Sequence, residues 1–293
     1  MSRKAIILLS LLGWSQFIYA QSDTVVVVLS SKSRPYEEAL SGFRESFNQP
    51  FVTFDLSKGD PDIPESTRLI VTIGGKATIY PYKQANLPLI YCVAPGIYID
   101  RKKHPGPVMK VYVSPSPAIL LQKLQGLQPS LHRLAAFWIE DSAVGYGSAL
   151  KEESKRAGID VLVDRLHSLD ELPDHLRSLK GRVDAFWLPP DPLLITPQSF
   201  SVMRQFALDN DIPLYVSVDG LADKGAAASV SVSFREMGRK SGILAGQLLA
   251  GAASPMTAVY GDVTNVTINM TSAAQSGLSI SSAVAKKADR VIP

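Results

Sequence analysis

Residues Ala226–Gly251 read AAASVSVSFREMGRKSGILAGQLLAG and contain two periodicities in succession. Polar and apolar residues alternate from Ser229 to Ser233, which predicts a half-buried strand. From Phe234 onward the apolar residues recur at helical spacing, so we expect an amphipathic helix that ends at Gly251. Small residues within this helix should let it approach a sheet closely; they are Gly238, Gly242, Ala245 and Gly246.

Before this unit, the chain contains two successive series of alternating predicted strands and helices. The first series begins with the apolar run Val25–Val28, which is typical of a strand covered on both faces of a parallel sheet. The second series begins after the proline-rich segment Ser114–Pro117. This order predicts an α/β protein of two doubly wound parallel-sheet lobes joined by a hinge. The predicted lobes are residues 22–113 plus 232–254 and residues 114–231 plus 255–293.

The first twenty residues have the pattern of a secretory signal peptide. Arg3 and Lys4 form a basic region, Ala5–Leu12 form an apolar core, and Ala20 completes a small-residue cleavage site. The apolar run is too short to span a bilayer. We therefore expect residues 1–20 to be removed after Ala20 and the mature protein to reach the periplasm.

Charge and polar-residue spacing argue against several functional classes. The 293 residues carry a net charge of +3, and removing Arg3 and Lys4 leaves 28 basic and 27 acidic residues. This near-neutral balance gives no support for a nucleic-acid partner. The four histidines make no metal-ligand spacing, and the Gly-x-Ser-x-Gly motif of many hydrolases does not occur. We predict no metal, no cofactor and no catalytic residues, and we expect the single cysteine, Cys92, to be a buried core thiol.

Candidate ligand contacts follow from the rule that open α/β sheets bind ligands at the carboxyl ends of their strands. Gly74-Gly75-Lys76 follows a predicted strand and begins a predicted helix, which favours contact with an anion; a tight turn is the alternative. Asp191 follows another strand and is suited to an amine or a hydroxyl; a helix or turn cap is the alternative. The predicted ligand-binding residues are Ser30, Ser31, Tyr36, Gly74, Gly75, Lys76, Glu140, Tyr146, Asp191, Ser217 and Asp219.

The remaining candidates also have structural alternatives. Glu140 is suited equally to the cleft and to a cap, whereas Asp219 beside Gly220 is first of all a turn residue. Tyr36 and Tyr146 suit stacking on a planar ligand, but tyrosines in such loops also serve as packing. Our hypothesis places the ligand between the Gly74–Lys76 turn and Asp191, where a zwitterion or a hydroxy acid would satisfy both sides.

Several segments of the second half resemble one protein family. Val183–Asp191 reads VDAFWLPPD, Ile212–Ser217 reads IPLYVS, and Gly238-Arg239 is followed by Gly246. These segments resemble the substrate-binding components of ABC transporters, a family that includes tryptophan- and tyrosine-binding lipoproteins. The resemblance extends over roughly residues 24–290 and is strongest in the second half. It implies the type I binding-protein fold, with two lobes, three crossing strands and a ligand in the cleft between them.

The chain departs from that family pattern near the ligand. Lys58–Thr67 is too short for the helix that family members usually have between their second and third strands. Ala94-Pro95-Gly96 has no carboxylate where the family usually has a Thr/Asn-Asp-Pro step, and Gly75 stands where a threonine is frequent. A glutamate and a serine of the family correspond here to Ala143 and Tyr146. The resemblance therefore implies the fold more directly than the ligand.

These observations together predict a monomeric periplasmic solute-binding protein. Such a protein holds a small organic ligand between two lobes and delivers it to an ABC permease. An alternative is a sensing module that presents its ligand to a membrane receptor, and neighbouring genes for a permease or for a signalling kinase would separate the two. An exported hydrolase is the least supported class, because a nucleophile paired with a base is not found in the sequence.

Overall fold

The computed structural model describes residues 24–100, 102–139, 144–252 and 258–293. The predicted signal peptide, the candidate residue Glu140 and the predicted lobe boundary after residue 254 lie outside these ranges. Among the helices of the described ranges, none has both the length and the apolar character needed to cross a membrane.

The first lobe is built on a parallel sheet. Within the described residues its six strands are β1 (Thr24–Leu29), β2 (Phe51–Asp55), β3 (Thr67–Ile73), β4 (Leu89–Cys92), β5 (Val108–Val111) and β11 (Ala258–Val259). Their order across the sheet is β11-β5-β4-β3-β1-β2. The helices of this lobe are α1 (Arg34–Ser46), α2 (Gly75–Ile79) and α7 (Phe234–Leu249).

The apolar run of β1 is buried on both faces of this sheet, as its composition predicts. Val25 and Val27 pack into the cluster formed with α1 and α7, whereas Val26 and Val28 pack into the cluster on the opposite face. Each of these four valines has no exposed surface. A strand enclosed in this way does not need the polar and apolar alternation of a half-exposed strand.

The second lobe repeats the α/β layout with one reversed strand. Within the described residues its seven strands are β6 (Arg133–Trp138), β7 (Asp160–Arg165), β8 (Ala185–Leu188), β9 (Leu214–Val216), β10 (Ala228–Ser231), β12 (Asn265–Asn269) and β13 (Arg290–Ile292). Their order is β13-β12-β10-β9-β8-β6-β7, and β12 runs antiparallel to β10. The helices are α3 (Pro117–Leu127), α4 (Val144–Ala157), α5 (Leu172–Leu179), α6 (Pro197–Asp209), α8 (Met270–Gln275) and α9 (Ser282–Ala285). The predicted class of two α/β lobes with largely parallel sheets is confirmed.

One expectation near the end of the chain differs from the structure. The strand at residues 258–259 was expected in the second lobe, but it pairs in parallel with β5 of the first sheet. The chain therefore returns to the second lobe only after Val259. At the end of the chain, Arg290–Ile292 forms strand β13, which pairs with β12. Two- and three-residue strands are too short to show a periodicity in the sequence.

The glycine-rich face of α7 contacts a helix rather than the sheet. A Cβ atom at Gly238 would overlap the carbonyl group of Ala39 in α1, and one at Gly42 of α1 would overlap the carbonyl group of Arg235 in α7. The hydroxyl of Ser46 also donates a 2.8 Å hydrogen bond to the Arg239 carbonyl oxygen. The expectation of close packing is correct, and α7 lies against strands β3 and β4 of the sheet as well as against α1, which Gly238 faces.

The chain crosses between the lobes at residues 112–116, 232–233 and 260–264 within the described ranges. The buried side chain of Glu236, in the first turn of α7 just after the second crossing, is bonded to the third crossing. Its carboxylate accepts hydrogen bonds from the Asp262 backbone at 2.9 Å and from the Arg239 guanidinium at 2.5 and 2.8 Å. Burial acts to raise the pKa of Glu236, but the Arg239 and backbone hydrogen bonds outweigh it, and the pKa is lowered. An ionised side chain therefore connects the start of α7 to the third crossing.

Candidate functional site

A narrow cleft lies between the lobes, beside the crossings. From the first lobe and its crossing it is lined by Pro95, Gly96, Lys110, Tyr112 and Val113. From the second lobe it is lined by Ser114, Trp138, Tyr146, Trp187, Pro189, Pro190 and Asp191. Its free volume is about 50 Å³, whereas pockets for drug-sized ligands usually measure roughly 300–1,000 Å³. A depression of about 720 Å³ beside α1 and β2 belongs to the first lobe alone.

The strand ends determine which side chains reach this cleft. Trp138 is the last residue of β6, and Pro189 directly follows β8. The Pro95–Gly96 turn follows β4 in the first lobe, and Tyr112 directly follows β5. Because ligands in open α/β folds bind beyond the carboxyl ends of the strands, this cleft is the candidate site.

Four aromatic rings form a cluster at the cleft and the hinge. Tyr146 of α4 stacks on Trp187 with 5.4 Å between ring centroids, and Tyr112 stacks on Tyr260 at 4.9 Å. Tyr146 also lies 6.1 Å from both Tyr112 and Tyr260, so that it joins the two stacked pairs. Burial raises the pKa of Tyr260 to about 12 and raises the pKa of Tyr146 well above its ordinary value. All of these phenols are therefore neutral at physiological pH.

The two tryptophans of the cleft differ in their hydrogen bonding. The Trp187 indole N–H donates to the Ser217 hydroxyl at 3.0 Å. Trp138 is only 4% exposed, and its indole N–H has no acceptor among the described residues. A buried donor without an acceptor costs about 1–3 kcal/mol.

Asp191 holds the backbone of the second lobe together. Its carboxylate accepts hydrogen bonds from the backbone of Ile139 at 2.6 Å, of Leu193 at 2.8 Å and of Leu194 at 3.2 Å. The residue is 2% exposed. The carboxylate connects the end of β6 to the turn after β8, and its position on the cleft depends on these bonds.

Lys110 supplies positive charge on the first-lobe side of the cleft. Its ammonium lies 4.8 Å from the ring centre of Tyr112 and 5.9 Å from that of Tyr91. It also lies 3.5 Å from the Ile97 carbonyl oxygen. Cations are attracted to the faces of aromatic rings, so these two tyrosines help to hold the ammonium in place.

The first-lobe residues that the sequence suggested are not among the residues named in the lining of this cleft, and their contact with a ligand stays a prediction. Helix α2 is a single turn of five residues, and its Ala77 N–H donates to the Ser30 hydroxyl at 2.9 Å. Gly74 adopts a left-handed φ of 99°, and a Cβ atom there would crowd Ser30 and Tyr36. These contacts make the segment a packed turn. The predicted residues that are absent from the cleft lining in this lobe are Ser30, Ser31, Tyr36, Gly74, Gly75 and Lys76.

The second-lobe candidates divide into two groups. Tyr146 and Asp191 line the cleft, and their contact with a ligand stays a prediction. Ser217 is not in the named lining, but its hydroxyl accepts the hydrogen bond from the Trp187 indole N–H. Asp219 accepts from the Ser229 hydroxyl at 2.9 Å and pairs with Arg290 at 3.2 Å, so it contributes to the packing of β10 and β13. Glu140 lies outside the described residues.

Comparison of the sequence with models of known protein families identifies the family of this chain. The model of the ABC transporter substrate binding protein family matches residues 123–292, more than half of the chain. The chain belongs to this family. The match includes Trp138, Trp187 and Asp191 of the cleft, and it begins after the crossing that contains Tyr112.

Individual proteins give weaker similarities. A tyrosine-binding protein from Clostridioides difficile is 27% identical over 124 residues, which are 41% of this chain and 35% of that protein. An uncharacterised protein from Rickettsia prowazekii is 24% identical over 119 residues, or 41% of this chain and 38% of that protein. The chain thus matches little more than a third of the length of these relatives.

Solved structures show the same fold over nearly the whole chain. An ABC domain from Streptococcus pneumoniae in complex with L-Trp has a TM-score of 0.60 at 20% identity, covering 92% of this chain and 99% of that one. A ligand-free, open substrate binding protein from Clostridium difficile has a TM-score of 0.60 at 18% identity, with the same coverage. At these identities the likeness establishes the fold of a substrate-binding protein and leaves the ligand open.

Sequence reasoning overlooked four cleft residues of this family member. Lys110 lies in β5 and Tyr112 directly follows it, and the sequence of this segment indicated only a strand. Trp138 and Trp187 also lie at the ends of buried strands, and neither is among the ligand-binding residues predicted from the sequence. The rule about strand ends could have selected all four, because each stands at or within one or two residues of a carboxyl end.

Proposed function

We propose that the mature chain is a periplasmic binding protein that holds a small organic ligand between its lobes and delivers it to an ABC permease. One observation carries this proposal: in a member of the substrate-binding family, strand ends of both sheets meet at one cleft. Binding rather than catalysis agrees with the cleft lining, where the Asp191 carboxylate holds three backbone amides.

The names of similar proteins support a small organic molecule as the ligand. One relative is a tyrosine-binding protein, and one similar structure contains L-Trp. We take from them only the class of ligand, since these proteins are 27% and 20% identical to this chain.

Ligand binding can be tested by thermal shift on purified residues 21–293. The panel contains amino acids, nucleosides, sugars and small carboxylates, and a ligand at 100 times its Kd should add about 2.7 kcal/mol of stability. Lys110→Ala, in the cleft, should reduce the shift of any binder. Lys123→Ala, on an exposed part of α3, is the matched control and should leave it unchanged. Equal shifts in both variants would place the ligand elsewhere.

Export, delivery and oligomeric state need separate measurements. The basic and apolar regions of residues 1–20 support cleavage after Ala20, so N-terminal sequencing of the periplasmic fraction should begin at Gln21. Co-purification with a permease would support delivery, whereas co-purification with a receptor kinase would favour the sensing role. Size-exclusion chromatography with light scattering should show a monomer.

A further inference from the structure

Gly147 of α4 lies directly against the ring of Trp138. Both residues are buried, and Trp138 is only 4% exposed. A Cβ atom added at Gly147 would overlap the Cη2 and Cζ2 atoms of the indole. Helix α4 therefore approaches the ring this closely only because residue 147 has no side chain.

Packing sets the position of the Trp138 ring within the described part of the chain. Its indole N–H has no acceptor there, whereas the Trp187 indole N–H donates to the Ser217 hydroxyl. Trp138 belongs to a buried core cluster of the second lobe and also lines the cleft. The contact with α4 at Gly147 is thus one of the contacts that determine where the ring lies.

The cleft is the free space that borders this ring. Its volume is about 50 Å³, whereas the core cluster around Trp138 is close-packed, as protein interiors are in general. A ring displaced from α4 would therefore move into the cleft, because the core offers no comparable space. Since the cleft is small, a shift by the width of a methyl group would take up much of its volume.

We infer that Gly147 is a positioning residue of the binding cleft. Its missing side chain lets the Trp138 ring lie on α4, and this position keeps the ring out of the space between the lobes. Gly147 thereby acts on a ligand through Trp138 and not by contact of its own. The inference rests on the proposed binding function and adds a residue that sets the shape of the same cleft.

Tryptophan fluorescence reports the position of the ring without any ligand. Residues 21–293 contain only two tryptophans, so in a Trp187→Phe background the emission comes from Trp138 alone. Adding Gly147→Ala to this background should shift the emission to the red and increase quenching by acrylamide, because the ring moves toward the open cleft. Gly145→Ala, in the same helix, is the matched control and should change neither quantity, since its Cβ would meet only the Tyr112 hydroxyl at 3.8 Å.

A compensating substitution tests whether Gly147 acts through Trp138. Phenylalanine lacks the second ring that carries Cη2 and Cζ2, so Trp138→Phe removes the atoms that a Cβ at residue 147 would overlap. Gly147→Ala should weaken binding of every panel compound that stabilises the unmodified protein at least about tenfold. The double variant should bind these compounds as Trp138→Phe alone does, because residues in contact do not act additively. If Gly147→Ala alone does not fold, recovery of cooperative unfolding in the double variant makes the same comparison.

The outcomes separate this inference from the proposed function. Unchanged emission and quenching in Gly147→Ala, or equal changes in Gly145→Ala, would overturn the inference and leave the binding function standing. Equal losses in the Gly147→Ala single and double variants would also overturn it, because the effect would then not pass through the Trp138 ring. Failure of the whole panel would count against the binding function, and the quenching measurement would then decide the position of the ring by itself.

Discussion

Substituting alanine for Gly238 should force helices α1 and α7 apart. The new Cβ atom would overlap the carbonyl oxygen and carbonyl carbon of Ala39. These are backbone atoms, so no side-chain rotation can relieve the overlap. Gly246, eight residues further along the same helix, has open space where its Cβ would be and is the matched control.

The expected magnitudes follow from two opposing effects. Alanine gains about 1 kcal/mol over glycine in a helix interior. Overpacking costs about 1–3 kcal/mol, and overlap with fixed backbone atoms belongs at the upper end of that range. Gly238→Ala should therefore lose about 2 kcal/mol of unfolding free energy. Gly246→Ala, with the propensity gain alone, should become more stable by about 0.5–1 kcal/mol.

The assay has to report on the first lobe. Trp138 and Trp187 both lie in the second lobe, so tryptophan fluorescence would miss a change confined to α1 and α7. Urea unfolding followed by far-ultraviolet circular dichroism, together with scanning calorimetry, covers both lobes. Gly42→Ala offers an independent check, because its Cβ would overlap the carbonyl group of Arg235 from the other side of the contact.

Equal unfolding free energies for Gly238→Ala and Gly246→Ala would refute this reasoning. Stabilisation of both variants would mean that helix propensity dominates and that α1 and α7 are further apart than the contact requires. Destabilisation of Gly42→Ala without any effect of Gly238→Ala would place the strain in α1 alone.

Three further predictions concern burial and charge. The lowered pKa of Glu236 means that its contribution to stability is present above its ordinary pKa of 4.5 and is lost as the pH falls through the lowered value. The urea midpoint should therefore fall as the pH is lowered below 4.5, and a fall of the same size in Glu236→Gln would contradict this assignment. Asp191→Ala leaves three backbone donors without their carboxylate and should lower the unfolding free energy, measured by tryptophan fluorescence, by roughly 3 kcal/mol or more. Asp191→Asn should lose less. An unchanged unfolding free energy would show that these hydrogen bonds do not hold the turn after β8 in place. Burial raises the pKa of the Cys92 thiol to about 12, so this thiol should react with Ellman's reagent only when the protein is unfolded. Rapid labelling of the native protein would show that the thiol is accessible.

The secondary structure and fold class could be predicted because they depend on local patterns. The valine run of β1 indicated a strand covered on both faces, and the four valines are fully buried. The change of period at Phe234 marked the start of a helix, and α7 begins at that residue. The glycines of α7 indicated a close neighbour but not its identity, because composition does not say which element packs against a face.

The candidate site was harder to predict because its parts are distant in the sequence. The rule about strand ends selected Gly74–Lys76 and Asp191 from opposite lobes. Only the strand order shows that β5 and the turn after β4, rather than α2, form the first-lobe side of the cleft. The backbone bonds of Asp191 and the hydrogen bond from Trp187 to Ser217 are likewise long-range contacts.

The sequence by itself determined two α/β lobes, their main strands and helices, and the family resemblance, because periodicity and motifs are read from neighbouring residues. The tertiary structure alone decided that Tyr146 joins Tyr112 and Tyr260 at the hinge and narrows the cleft. The physical reason is that these rings come from three segments more than thirty residues apart. Their contact depends on how the crossings orient the two sheets, and that orientation results from the packing of the whole chain.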